Sequence, residues 1–76
     1  MKEKTLNELK IEEIGVVYRI MGEETIKRRL LDLGLIEGTN IKPVLVSPSG
    51  DPRAFEFRGS LIAIREEDSK NIKIKI

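Results

Sequence analysis

Residues 22–38 read GEETIKRRLLDLGLIEG, with an apolar stripe set between two glycines. Ile26, Leu30 and Leu33 fall at positions i, i+4 and i+7, which is the spacing of one helix face. Acidic side chains come first and basic ones follow, which is the order that the helix dipole favours. The segment therefore predicts an α-helix over about residues 23–33 with these three side chains facing inward.

Gly34 predicts where this helix ends. A glycine at this position can adopt the left-handed conformation that closes a helix without a Cβ clash. The next residue, Leu35, could then contact Leu30, as usually happens at such a cap.

The rest of the chain predicts short strands and turns. Pro43 has no backbone N–H to donate, so it should lie at an edge, at a bulge or at a non-bonded position. Gly59 and Ser60 predict a two-residue hairpin turn. Strands are predicted at residues 16–21, 40–46, 54–58, 61–65 and 72–76, a loop at 47–52, and single turns at 5–9 and 66–71.

These elements predict a mainly β fold in one domain spanning residues 1–76. Parallel crossovers each need a dozen or more residues, so a chain this short favours antiparallel pairing. We therefore expect a small antiparallel barrel with the helix packed over one opening. Lys73 and Lys75 would protect the last strand if the barrel closed only in part.

Charge and composition argue against several classes of function. The chain has 14 Lys and Arg against 13 Asp and Glu, and a net charge of +1 provides no strong field for nucleic acid or an anionic membrane. It contains no histidine and no cysteine, which removes imidazole bases, thiol nucleophiles and the common ligands of transition metals. We interpret the remaining acidic cluster, residues 66–68, as a solvated turn. We therefore expect no enzymatic activity, no cofactor, no specific metal site and no nucleic-acid partner.

Membrane insertion is not expected either. No run approaches the roughly 18 apolar residues that a spanning helix needs. The first residues are charged, unlike a secretory signal. A cytoplasmic protein is the expectation that follows.

Three motifs resemble one known family. Residues 29–39 read RLLDLGLIEGT, residues 47–52 read SPSGDP and residues 61–65 read LIAIR. In this order and spacing they are similar to the signatures of ferrous iron transport protein A (FeoA). The resemblance implies an SH3-like β-barrel of five to six strands. It also implies an accessory protein that binds and regulates FeoB, the GTPase membrane transporter of ferrous iron, from the inner face of the plasma membrane.

Two alternatives stay open beside this role. The same resemblance extends to the C-terminal domain of iron-dependent repressors, so the chain could be a stand-alone module of that kind. A generic peptide-binding adaptor is the other alternative, although the chain has few aromatic residues to line a groove. Partly protected barrel edges also allow weak self-association.

The predicted helix carries the candidate partner-binding face. With one stripe turned inward, Lys27 and Leu31 lie on one flank, and the apolar residues after the helix are not needed for the core. An exposed apolar patch with a charged rim is typical of a docking surface. The loop after the second strand is a second candidate. The expected contact residues are Lys27, Leu31, Leu35, Ile36, Glu37, Pro48 and Asp51.

Overall fold

The computed structural model describes residues 2–76, so Met1 of the predicted domain lies outside the described residues. Within them the chain forms six strands, two α-helices and one 3-10 turn. In chain order these are β1 (Glu3–Thr5), the 3-10 turn (Leu6–Glu8), β2 (Gly15–Ile20), α1 (Glu24–Asp32), β3 (Asn40–Val46), β4 (Arg53–Phe57), β5 (Ser60–Ile64), α2 (Glu66–Ser69) and β6 (Ile72–Lys75). None of these helices is long and apolar enough to cross a bilayer.

The strands form one antiparallel sheet in the order β1-β6-β2-β3-β4-β5. Alternate side chains of β4 (Phe55 and Phe57) and of β6 (Ile72 and Ile74) are buried. The core consists of Leu6, Leu9, Val17, Leu30, Leu35, Ile41, Phe55, Phe57, Ile64, Ile72 and Ile74. The predicted mainly β class with one helix at about residues 23–33 is confirmed.

The sequence did not predict β1. Glu3, Lys4 and Thr5 pair with Lys75, Ile74 and Lys73 of β6. A strand of three residues with two charges carries no visible period, so only its partner reveals it. The predicted turn directly after it begins with a capping box, in which the Thr5 N–H donates to the Glu8 carboxylate at 2.8 Å.

β2 contains a bulge opposite β6. The register against β6 shifts between Val17 and Arg19, so one extra residue interrupts the alternation. Val17 is therefore buried, and three positions later Ile20 also packs against the core.

Pro43 lies at a second bulge. The register of β3 against β4 shifts between Pro43 and Leu45, where a missing N–H donor is tolerated. The prediction of a bulge, an edge or a non-bonded position is confirmed.

The predicted hairpin exists, but its turn lies one residue earlier than expected. Phe57 pairs with Ser60, so the two turn residues are Arg58 and Gly59. Both have positive φ, 53° and 78°, which is the type I′ geometry that matches the strand twist. Ser60 therefore belongs to β5, and placing it in the turn was wrong.

α1 ends in a cap formed around Gly34. Gly34 has φ +98°. Its N–H donates to the Leu31 carbonyl at 2.9 Å, and the Leu35 N–H donates to the Leu30 carbonyl at 3.1 Å. These two bonds form a Schellman cap, which folds the chain back over the last helical turn.

Because of this reversal, Leu35 is fully buried and takes the inward place that was expected for Leu33. Leu33 is the C-cap residue and is 41% exposed, so its predicted inward position is wrong. The prediction of Leu35 as an exposed contact residue is also wrong.

Candidate functional site

A groove of about 560 Å³ lies between the end of β2 and α1. We call it the β2–α1 groove. Its lining residues are Arg19, Ile20, Met21, Gly22, Lys27, Leu31 and Glu37.

The wall from β2 is held in place by backbone hydrogen bonds. Met21 directly follows β2, and its N–H donates to the Asn71 carbonyl at 2.6 Å. Asn71 leads into β6, so this bond ties the lip of the groove to the sheet. The chain then reaches the first turn of α1 within three residues.

The opposite wall is one flank of α1. Lys27 and Leu31 are separated by four residues, so they lie one turn apart on the same helix face. Leu31 is 48% exposed. The Lys27 ammonium lies 3.9 Å from the Glu24 carboxylate, a surface contact that contributes little energy.

The turn after α1 closes the groove with Glu37. The N–H of Gly38 donates to the Val17 carbonyl at 2.7 Å, and the Val17 N–H donates to the Thr39 carbonyl at 2.9 Å. These bonds fasten the turn to β2, so Glu37 stands beside the β2 wall.

The groove therefore combines an apolar floor with a mixed rim. Ile20, Met21 and Leu31 supply the apolar surface, while two basic side chains and one carboxylate surround it. Such a surface can take an apolar side chain from another molecule and attract an acidic group beside it. Within residues 2–76 no three acidic, histidine or cysteine side chains come together as metal ligands would.

The structure brings only some of the predicted contact residues together. Lys27, Leu31 and Glu37 line the same groove. Ile36 is exposed on the adjoining turn but does not line it, and Leu35 is buried beneath the helix end.

The second candidate surface is a separate loop. Pro48 and Asp51 are both exposed between β3 and β4. The Asp51 carboxylate accepts a hydrogen bond at 2.9 Å from the N–H of Glu66. This bond holds the loop against the start of α2, so Asp51 has a role within the chain itself.

Four lining residues were missed by sequence reasoning: Arg19, Ile20, Met21 and Gly22. Their strand is apolar on both faces, and the bulge that turns Arg19 outward leaves no mark in the sequence. Their position directly before the helix was the available signal, because a short connection keeps neighbouring elements in contact.

The pKa values of two carboxylates outside the groove are lowered. The backbone N–H of Thr5 lowers the pKa of Glu8, and the backbone N–H of Lys10 lowers the pKa of Glu13. The second bond is 2.9 Å long. Both support local turns before β2 and neither lines the groove.

The comparisons with known proteins give a consistent assignment. The chain is 27% identical over 71 residues to an Fe(2+) transport protein A/Fe(2+) transporter FeoB fusion protein of Porphyromonas gingivalis. That match covers 93% of this chain and 8% of the fusion protein, so the chain spans a small part of that relative.

Two solved structures show the same fold. The solution structure of FeoA from Chlorobium tepidum aligns with a TM-score of 0.88 at 33% identity, covering 96% of this chain and 70% of that one. The crystal structure of zinc-complexed FeoA from Stenotrophomonas maltophilia, an SH3 domain protein, aligns with a TM-score of 0.83 at 26% identity. It covers 95% of this chain and 89% of that one, and confirms the SH3-like fold.

The family assignment itself rests on a match along almost the whole sequence. The model of the FeoA domain matches residues 4–76, which include every strand except the first residue of β1. The FeoA family has its role in ferrous iron transport. The chain belongs to the FeoA domain family.

Proposed function

We propose that this chain binds a FeoB-type GTPase transporter at the cytoplasmic face of the membrane and regulates its uptake of ferrous iron. The observation that carries the proposal is the Porphyromonas gingivalis relative, in which a matching segment is part of a FeoB fusion protein. Fusion keeps two domains at a high effective concentration. A separate chain reaches the same contact only by binding, so it needs a docking surface.

The β2–α1 groove supplies that surface. Leu31 and Met21 are large apolar side chains that the core does not cover. Arg19 and Lys27 stand beside them and would attract a carboxylate of the transporter. We therefore assign the contact to an apolar anchor of FeoB with an acidic neighbour.

Regulation follows from binding alone if the affinity differs between states of the transporter. A bound domain shifts an equilibrium only by as much as it prefers one state over the other. The accessory chain then needs no catalytic group, and its effect appears in the GTPase or transport rate of FeoB.

The test compares two exposed leucines. Leu31→Glu places a charge in the groove, and Leu45→Glu places the same charge on β3, where the side chain is 61% exposed and outside the groove. Binding to detergent-solubilised FeoB, taken from the organism that encodes this chain, is measured by biolayer interferometry. Loss of one apolar anchor is worth more than about 1.4 kcal/mol, so Leu31→Glu should weaken binding at least about tenfold.

Leu45→Glu should bind as the wild-type chain does. Equal binding by all three proteins would exclude the groove as the contact. Undetectable binding of the wild-type chain would contradict the proposal as a whole. FeoB GTP hydrolysis, followed with and without each variant, tests regulation separately from binding.

Two further predicted contact residues are tested in the same assay. Glu37→Lys removes the acidic part of the rim, and Pro48→Ala probes the second loop. A larger loss with Pro48→Ala than with Leu31→Glu would move the contact to that loop. Capture of an iron-dependent repressor in place of FeoB would favour the repressor alternative.

A further inference from the structure

β5 has one side that pairs with no strand among the described residues. It is the last strand in the sheet order, and its ladder runs only to β4. No other backbone hydrogen bond within residues 2–76 involves Ser60–Ile64. The strand also contains no charged residue.

The opposite edge of the sheet is protected against pairing with another strand. β1 is only three residues long and carries Glu3 and Lys4. Lys4 contacts Glu13 at 3.5 Å, and Glu3 accepts a hydrogen bond from the Tyr18 hydroxyl at 2.7 Å. Short length and charge are the usual means by which an edge strand avoids pairing. β5 has neither.

The hairpin register shows which backbone groups point away from β4. A two-residue turn is closed by a hydrogen-bonded pair, here Phe57 and Ser60. Pairs then alternate along an antiparallel ladder, so Leu61 opposite Glu56 and Ala63 opposite Ala54 are non-bonded pairs. Leu61 and Ala63 therefore point their N–H and C=O groups outward.

We propose that β5 pairs with β5 of a second copy of this chain, antiparallel, about a two-fold axis at Ile62. This register sets Leu61 opposite the partner subunit's Ala63 and Ala63 opposite the partner subunit's Leu61. Each of these pairs exchanges two hydrogen bonds, so all four outward backbone groups of each copy are satisfied. The strand is thus self-complementary, as a two-fold interface requires.

Side-chain size agrees with this register. Leu61 is 58% exposed on the outer face and lies opposite a small alanine of the other copy. A large residue beside a small one packs across strands without a clash. The lack of charge on both copies removes repulsion between them.

A second groove of about 440 Å³, the β5 groove, runs along the edge of β5 between α1 and α2. Arg29, Leu30 and Leu33 line it from α1, and Glu67 and Asp68 from α2. The Arg29 guanidinium donates to the Asp68 carboxylate at 2.5 Å, so one ion pair joins the two walls and has to open before a strand can fill the groove. The β5 groove shares no lining residue with the β2–α1 groove, so dimer formation and the proposed FeoB contact use different surfaces.

The interface is small, so we expect weak and concentration-dependent association. Sedimentation equilibrium of the full chain up to about 1 mM should show a monomer–dimer equilibrium. Leu61→Lys should weaken dimer formation at least about tenfold, because a lysine on an edge strand opposes pairing. Leu45→Lys is the matched control, since Leu45 is equally exposed but lies on β3, and it should leave the dimer unchanged.

The register has its own test. The double variant Leu61→Lys with Ala63→Glu sets opposite charges across the two-fold axis and should recover dimer formation relative to Leu61→Lys alone. Hydrogen exchange gives a direct readout. The amides of Leu61 and Ala63 should become protected as the concentration rises, while the amide of Ile62, already paired within the chain, should not change.

A chain that stays monomeric at the highest concentration overturns the proposal. So does a dimer that Leu61→Lys leaves intact. If protection of Leu61 and Ala63 arises only when FeoB is added, the edge belongs to the transporter and self-pairing is wrong. Absence of the β5 dimer leaves FeoB binding through the β2–α1 groove untouched, so the two proposals fail separately.

Discussion

The two ends of the sheet differ in their polar contacts and in how far their apolar side chains are exposed. At the β1 end, polar groups are satisfied within the chain: Lys75 lies over the Tyr18 ring at 4.8 Å, and the Lys4–Glu13 pair spans neighbouring segments. At the β5 end and along α1, Leu61 and Leu31 are 58% and 48% exposed, more than Ile76 and Val16 near the β1 end, which are 41% and 37% exposed. The first region contributes to the stability of the fold, and the second keeps surface for other molecules. Substitutions should therefore lower stability in the first region and alter association in the second.

The largest effect on stability is expected from Gly15→Ala at the start of β2. A Cβ added to Gly15 would lie 2.0 Å from Cγ2 of Ile74, a fully buried side chain of β6. Overpacking of this kind costs about 1–3 kcal/mol, and the upper end applies because so short an approach forces the two strands apart. Urea unfolding followed by circular dichroism measures the loss.

Ile74→Ala supplies the control for this clash. It removes Cγ2, so the double variant should be more stable than the sum of the two single losses predicts. Strict additivity would show that the contact between Gly15 and Ile74 is not the cause.

Gly34→Val is expected to give the next largest loss of stability, and it is an exception to the difference between the two regions. Gly34 lies at the end of α1, in the region that carries exposed apolar surface, yet its φ of +98° requires a glycine. A β-branched residue in this conformation costs about 1–2 kcal/mol, although the nearest atoms to an added Cβ, on Phe57 and Arg58, are 3.9 Å away. Urea unfolding reports the loss.

Gly34→Asn should lose less, because asparagine tolerates left-handed conformations. If valine and asparagine had the same effect, side-chain size rather than backbone conformation would be responsible.

Acid should act first on the β1 end. The folded pKa values of Glu8 and Glu13 lie below their ordinary value of 4.5, so the unfolded chain binds more protons as the pH falls. The stability that these carboxylates contribute is fully present above about pH 4.5 and is lost as the pH falls through their folded pKa values. Thermal unfolding between pH 6 and pH 2.5 measures this slope.

The variant Glu8→Gln is the control for the acid effect. Glutamine keeps the capping hydrogen bond but does not titrate, so the slope should become shallower. An unchanged slope in both Glu8→Gln and Glu13→Gln would place the acid sensitivity elsewhere.

Local patterns predicted the helix, its cap and most strands because each depends on a few neighbouring residues. The prediction that Leu30 faces inward was right, and so was the prediction of a helix cap at Gly34. β1 and the inward face of β2 were not predicted, because distant residues decide them. β1 exists only through its pairing with β6, and the bulge in β2 reverses which side chains face inward.

The candidate site shows the same division. Lys27 and Leu31 could be chosen from the helix pattern, because residues one turn apart share a face. Glu37 was chosen with them from the turn that follows the helix. The residues of the β2 wall could not be chosen in this way, because Arg19 faces the groove only as a result of the bulge. Leu35 was chosen wrongly because a helix cap redirects the chain, and its side chain then enters the core.

The smallest effect on stability, and the sharpest test of the comparison, is expected from Leu31→Glu. Leu31 is already 48% exposed, so the substitution should change the free energy of unfolding by less than about 0.5 kcal/mol. The same protein should lose FeoB binding, as argued from the β2–α1 groove. Leu33→Glu, on the other flank of α1 and 41% exposed, should be equally mild for stability and should leave FeoB binding intact. A large loss of stability in Leu31→Glu would mean that this flank belongs to the core, and the division between a stabilising region and an associating region would then be wrong.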